Sequence, residues 1–167
     1  MEKLKELFKE YGADSHTKTL RMRVMRPVYS REVIREDMPV YMETKRYTSP
    51  QQVFEMFRDL IWETKEFFLC IHLDGQNRIV CLDRVSVGSL NQSIVHPREV
   101  FSPAVKESAA AVILVHNHPT GDPAPSPEDI AITRRLREAG DIMGIKVLDH
   151  IIVGDGEFMS FVERGLL

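Results

Sequence analysis

The sequence predicts an α/β protein whose mixed central sheet lies between layers of helices. From Ser49 onward, helical and strand patterns alternate without a strict βαβ rhythm. The run AAAVILVH, residues 109–116, is apolar almost throughout, which is typical of a central strand buried on both faces. We therefore expect one domain over residues 49–167, preceded by a segment of different composition over residues 1–48.

The first 48 residues carry their own pattern. Leu and Phe alternate with Lys and Glu over residues 1–12 at the spacing of a short amphipathic helix. Residues 17–48 contain β-branched and basic residues interrupted by prolines, which favours short strands or an extended arm.

The domain begins with a helix and a hairpin. Ser49 can cap a helix whose first position suits Pro50, and apolar residues continue that helix to about Thr64. EFFLCIHLD, residues 66–74, predicts a buried strand, and RIVCLDRVSVG, residues 78–88, predicts its hairpin partner after the turn at residues 75–77.

The second half of the domain alternates helices and strands. A helix is expected around residues 103–109, and a longer one over PEDIAITRRLREAGDIMG, residues 127–144, with Ile130, Leu136 and Ile142 facing the core. KVLDHIIVG, residues 146–154, predicts a strand, and EFMSF, residues 157–161, a closing strand after the turn at residues 155–156.

Composition excludes several classes of protein. The hydrophobic share of 43% and charged share of 28% are those of a globular chain of 167 residues. A formal net charge of −3 does not indicate a nucleic-acid or membrane partner. The two cysteines, Cys70 and Cys81, form no disulfide framework or four-cysteine zinc pattern. The N-terminus lacks an apolar signal core, and no run approaches membrane-spanning length, so a cytoplasmic protein is expected.

The stretch HNHPTGDPAPSPED, residues 116–129, contains the candidate metal-binding residues. His116 and His118 lie two residues apart at the end of the apolar strand and so point to the same side. Ser126 and Pro127 predict a helix start, which places Asp129 in the first turn. Two imidazoles and one carboxylate are a ligand set of catalytic zinc, which keeps a fourth position open.

Each of these residues also has a structural interpretation. Ser126 can be only a helix cap and Asp129 only a first-turn acid, and a single histidine at a strand end is more often structural than a ligand. Their combination at one spacing, His-x-His, seven residues, Ser, two residues, Asp, favours the metal site.

This spacing resembles the JAMM motif of MPN-domain metalloproteases. The strings GSLNQSIVHPREVF, AVILVHNHPTGDPAPSPEDI and VLDHIIVGDGEFMSF look like the RadC family in particular, over residues 49–167. The resemblance implies a cytidine-deaminase-like (JAB/MPN) α/β/α sandwich and Zn²⁺ as the cofactor. It also implies that His116, His118 and Asp129 are the metal ligands and that Ser126 helps to stabilise the oxyanion.

Members of that family use an upstream glutamate that binds the attacking water. Glu66, at the start of the first predicted strand, matches its place, although Glu63 or Glu99 could also be near. The resemblance thus implies a zinc-dependent metalloprotease or isopeptidase, with Glu66 as acid/base and a protein or peptide substrate, such as a ubiquitin-like tail.

The sequence departs from the family pattern at two places, and two alternative functions stay open. Thr120 stands where RadC proteins usually carry Ser, and residues 1–48 are too short for the helix-hairpin-helix region that full-length members place before the domain. A DNA-repair-associated protein or metal-dependent nuclease is the enzymatic alternative, and a non-catalytic MPN scaffold is the other. A nucleobase deaminase is rejected because its Pro-Cys-x-x-Cys motif is missing.

Other residues carry weaker signals. His150 with Asp149 could lie beside the metal site, or it could be a satisfied strand histidine. His72 is better explained by core packing, and the basic cluster at residues 134, 135 and 137 by a solvated helix face.

Overall fold

A computed structural model describes residues 46–88 and 95–167. In chain order, the elements in these ranges are α1 (Pro50–Phe57), a 3₁₀ helix (Arg58–Trp62), β1 (Phe67–Leu73), β2 (Ile79–Val87), α2 (Pro97–Lys106), β3 (Ala111–Asn117), α3 (Pro127–Met143), β4 (Lys146–Val153) and β5 (Phe158–Ser160).

The five strands form one mixed sheet in the order β2-β1-β3-β4-β5. β1 pairs antiparallel with β2 and with β3, β3 pairs parallel with β4, and β4 pairs antiparallel with β5. All seven residues of β3 are buried, as its continuous apolar run predicted for the central strand. The predicted α/β class and mixed sheet are confirmed.

Helices cover both faces of the sheet. On one face, side chains of α2 and α3 such as Phe101, Ile132 and Leu136 pack against Phe68 and Leu114. On the other face, residues of α1 pack against the alternate strand residues; this cluster includes Val53, Phe54, Phe57, Ile71, Ile113 and Ile151. Because the strands alternate their side chains, each strand contributes to both clusters.

Two helix boundaries differ from the sequence-based expectation. The first helix ends at Phe57 and continues as a 3₁₀ helix to Trp62. The second begins at Pro97 and ends at Lys106, so the range 103–109 was wrong. The ring of His96 caps it by accepting from the Arg98 amide at 3.3 Å, and Pro97 suits the first helical position. Pro103 lies inside this helix rather than at its start.

The core-facing side of α3 was also only partly predicted. Leu136 is buried, but Ile130 and Ile142 are 41% and 87% exposed. Residues six apart on a helix are rotated by about 240°, so these three cannot share a face. The stripe that is buried follows the three- and four-residue spacing of a helix instead: Asp129, Ile132, Thr133, Leu136 and Gly140.

The patterns predicted for residues 1–45 lie outside the described residues, and the domain division at residue 48 stays a prediction. Within residues 46–88 and 95–167, no helix is long and apolar enough to cross a membrane. The cytoplasmic location stays a prediction.

Candidate metal centre

The structure brings together the two histidines and the aspartate of the stretch HNHPTGDPAPSPED. His116 is the penultimate residue of β3, His118 directly follows the strand, and Asp129 is the third residue of α3. Among the described residues, they form the one group of three potential ligand side chains with a donor atom each, all within 4.8 Å of one another. His116 and Asp129 are buried, whereas the side chain of His118 is 14% exposed.

The distances within this group fit a small tetrahedral cation. Each histidine Nε2 lies 3.3 Å from an oxygen of Asp129, His116 from Oδ1 and His118 from Oδ2. The two Nε2 atoms are 3.0 Å apart. Ligands about 2.0–2.1 Å from a tetrahedral zinc ion are separated by about 3.3 Å, which is close to all three values. The donor atoms are therefore close enough together to hold one small cation, and the pair of imidazoles with a carboxylate is a donor set that Zn²⁺ accepts.

The proline-rich loop orients His118. The Nδ1 atom of His118 lies 2.7 Å from the carbonyl oxygen of Asp122. A carbonyl only accepts, so Nδ1 must carry the proton, and the neutral ring presents its Nε2 lone pair to the site. The Asp122 carboxylate in turn accepts from the Ala124 amide at 2.9 Å, which fixes the turn. The loop packs on Gly154, where a Cβ would lie 2.7 Å from Cδ of Pro123.

A buried column of polar side chains lies behind His116. Its Nδ1 is 2.8 Å from Nε2 of His150, and Nδ1 of His150 is 2.6 Å from Oγ1 of Thr133. The Thr133 hydroxyl also lies 2.6 Å from the carbonyl oxygen of Asp129. The His150 ring stacks on Phe161, with ring centroids 4.8 Å apart. His116, Thr133 and His150 are all buried, so the column connects two candidate ligand residues, His116 and Asp129, through the core.

Asp129 is held by the helix that carries it. The Ser126 hydroxyl accepts from the Asp129 amide at 3.1 Å, and Asp129 Oδ2 accepts from the Ser126 amide at 2.7 Å, which completes a capping box. The same carboxylate oxygen accepts from the Ser126 hydroxyl at 2.7 Å. Ser126 is therefore both the predicted helix cap and a direct neighbour of the candidate ligand.

The electrostatics of the group favour a cation. Burial raises the pKa of Asp129, but the imidazoles of His116 and His118, each with Nε2 3.3 Å from a carboxylate oxygen, more than reverse this and hold the pKa well below its ordinary value. Burial lowers the pKa of His116, whereas the close contact with the Asp129 carboxylate raises that of His118. An ionised carboxylate beside a buried, neutral imidazole is the charge state that divalent metals require of their ligands.

Glu66 lies near this group, just before β1. Its negative charge contributes to raising the pKa of both His116 and His118. The backbone on either side of it is held by Asn117: the side chain of Asn117 accepts from the Phe67 amide at 2.8 Å and donates to the Lys65 carbonyl at 3.1 Å. Glu99, an alternative from the sequence, forms an ion pair with Arg98 at 2.8 Å instead.

The remaining sequence candidates have structural contacts. The Asp149 carboxylate accepts from the His150 amide at 2.7 Å and from the Ser160 hydroxyl at 2.6 Å, and the second of these bonds connects β4 to β5. His72 is buried on β1, and neither of its ring nitrogens has a hydrogen-bond partner among the described residues. Arg134 pairs with Glu138 at 3.0 Å on an exposed helix face. Thr133 and Asn117 are site neighbours that the sequence analysis missed.

Comparison with known proteins identifies close relatives. A family model described as RadC-like JAB domain matches residues 47–166. A UPF0758 protein of Pelobacter propionicus is 72% identical over 123 residues, which cover 73% of this chain and 54% of the relative. UPF0758 proteins of Geobacter sulfurreducens and Caldanaerobacter subterraneus are 70% and 52% identical, covering 74% and 71% of this chain and 55% and 51% of the relatives. The chain thus spans about half the length of the curated relatives it matches.

Proposed function

The chain belongs to the RadC-like JAB domain family, as its motifs predicted, and from its His-His-Asp group we propose that it is a zinc-dependent hydrolase that cleaves an amide bond. The observation that carries this proposal is a pair of imidazole nitrogens 3.0 Å apart, each 3.3 Å from an oxygen of the Asp129 carboxylate, at one end of the central strand. JAB domains are often metallohydrolases, and a metal held by three side chains retains an open position for water.

Zinc, when bound, supplies Lewis acidity and lowers the pKa of a coordinated water toward about 7. The protein residues contribute the remaining steps. Glu66 accepts a proton from the attacking water and delivers it to the leaving amine. Its carboxylate is suited to this role because Asn117 holds the backbone on both sides of it. Ser126 donates to the developing oxyanion, which requires its hydroxyl to turn from Asp129 toward the substrate.

The substrate class follows from the chemistry of the group. Attack by an activated water, a carboxylate proton carrier and a hydroxyl donor together suit an acyl compound with a poor amine leaving group. We therefore propose a peptide or isopeptide linkage in a protein substrate, such as the tail of a ubiquitin-like protein.

The first experiment is the metal content of protein purified without added metal. We expect about one zinc per chain, largely lost in Asp129→Ala, because three ligands are the minimum of a catalytic zinc site. A folded wild-type protein that neither contains zinc nor takes it up would contradict the metal centre and leave the non-catalytic scaffold.

The second experiment tests the reaction. Zinc-loaded protein is incubated with a proteome-derived peptide library and isopeptide-linked substrates, and new amino termini are detected by mass spectrometry. We expect cleavage that Glu66→Gln lowers by more than about 100-fold while zinc content is unchanged. Plasmid and single-stranded DNA serve as parallel substrates: cutting of these, lost in His118→Ala, would establish the nuclease instead.

A further inference from the structure

Beyond the three candidate ligands, we infer that Thr133 and His150 are positioning residues that fix the protonated nitrogen of His116, so that its Nε2 lone pair faces the metal. The inference rests on the direction of the hydrogen bonds in the buried column behind His116. It also rests on the proposed metal centre, but not on the proposed reaction.

The direction of the column is set at its far end, by Thr133. A threonine hydroxyl has one proton, and a backbone carbonyl can only accept. The Oγ1 atom of Thr133 lies 2.6 Å from the Asp129 carbonyl oxygen, so its proton is committed there. The second contact of the same hydroxyl, 2.6 Å to Nδ1 of His150, must therefore be one in which His150 donates.

The proton position on His150 then determines which atom donates in its hydrogen bond with His116. His150 is fully buried, and its two ring nitrogens contact Thr133 and His116, neither of which carries a negative charge. A neutral ring that is protonated on Nδ1 has a lone pair on Nε2, so it accepts from Nδ1 of His116 at 2.8 Å. His116 is then left with a lone pair on Nε2, the atom 3.3 Å from Asp129 Oδ1.

Both ends of this column belong to the metal centre. Asp129 and Thr133 are four residues apart on α3, so they share one helix face, and the carbonyl that fixes Thr133 is that of the ligand Asp129 itself. In His118 the proton is likewise placed on Nδ1, but by a single hydrogen bond to the Asp122 carbonyl. The two histidines are thus oriented independently, His116 by the core and His118 by the proline-rich loop.

The test compares two substitutions at one position. Thr133→Val retains the shape of the side chain and removes the hydroxyl, whereas Thr133→Ser retains the hydroxyl. Zn²⁺ affinity is measured by competition with a chromophoric chelator, and folding by circular dichroism. We expect Thr133→Val to weaken zinc binding by about 10–100-fold, as loss of partners behind a ligating histidine does. We expect Thr133→Ser to stay within about threefold of the wild type because its hydroxyl is retained.

A second measurement needs no metal and compares the wild type with Thr133→Val. Two-bond ¹H–¹⁵N correlation spectra of protein labelled with ¹⁵N-histidine report which nitrogen of each neutral imidazole carries the proton. We expect the proton of His150 on Nδ1 in the wild type, and a shift toward Nε2 in Thr133→Val. A substitution that only loosened packing would leave this proton in place.

The outcomes separate this inference from the proposed reaction. A wild-type His150 protonated on Nε2, or a folded Thr133→Val protein that binds zinc within about threefold of the wild type, overturns the positioning role. If both expected results are obtained but no substrate is cleaved, the positioning role stands and the hydrolase proposal fails. Failure of the wild type to bind zinc, with the expected His150 proton, refutes the metal centre and with it the role toward metal.

Discussion

His72 is buried in the middle of β1, and we expect it to make the protein sensitive to acid. Neither of its ring nitrogens has a hydrogen-bond partner among the described residues. Burial lowers its pKa from 6.5 to about 4, and the charge of Glu107 offsets this only in part. Cys81, its neighbour across the hairpin, has a thiol pKa raised to about 11, so it is uncharged in acid and cannot compensate a charged His72. Protonation would therefore place a cation in the core.

The sign and size of the effect follow from the two pKa values of 6.5 and about 4. Between them the unfolded chain holds the proton and the folded protein does not, so the stability is full above pH 6.5 and is lost as the pH falls toward 4. At pH 5 the loss from His72 alone amounts to about 2 kcal/mol, and its limit at lower pH is about 3.4 kcal/mol.

Urea unfolding of metal-free protein at pH 8 and pH 5 measures this term. We expect the fall in unfolding free energy between the two pH values to be smaller by about 2 kcal/mol in His72→Leu than in the wild type. Ile71→Val, a neighbouring core substitution without a titrating group, should cost about 1 kcal/mol at both pH values. An equal fall in His72→Leu and the wild type would refute the reasoning, because other buried histidines would then account for the acid sensitivity.

Three further predictions concern the metal centre and its support. Zinc at 100 times its dissociation constant should raise the unfolding free energy by about 2.7 kcal/mol in the wild type, and chelator or Asp129→Asn should remove this gain in a denaturation assay. Asn117→Ala should cost about 1–3 kcal/mol, since it removes two part-buried hydrogen bonds to the backbone beside Glu66; an unchanged urea midpoint would contradict this. Gly154→Ala should cost about 2 kcal/mol or more, because its Cβ would lie 2.6 Å from a carbonyl oxygen, whereas Gly75→Ala, with open space around it, should stay within about 0.5 kcal/mol.

Local rules predicted the parts of the candidate site that depend on neighbouring residues. Alternation along a strand places His116 and His118 on one side, and the cap formed by Ser126 places Asp129 in the first turn of α3. Both relations extend over a few residues and need no knowledge of the tertiary structure. The prediction that Ile130, Leu136 and Ile142 share the buried face of α3 was wrong because a six-residue step does not follow the helical period.

The tertiary parts of the site could not be predicted in the same way. Thr133 contacts His150 across 17 residues, and that contact depends on α3 packing over β4. Its sequence signal is present but weak: it lies one helical turn after Asp129, on the stripe that the core buries. A threonine in that place is equally typical of a helix interior, so only the contact with a second buried histidine identifies its role.

Asn117 shows how the register of the sheet connects the candidate ligands to Glu66. Because the rings of His116 and His118 converge on one side, with their Nε2 atoms 3.0 Å apart, Asn117 between them must point to the opposite side of the strand. What it meets there is set by the antiparallel pairing of β1 with β3, in which Phe68 is opposite His116. That register brings the start of β1 beside the end of β3, so the amide of Asn117 reaches the residues on both sides of Glu66. The end of β3 thus orients two candidate ligands with one face and the candidate proton carrier with the other, which explains an asparagine between the two histidines.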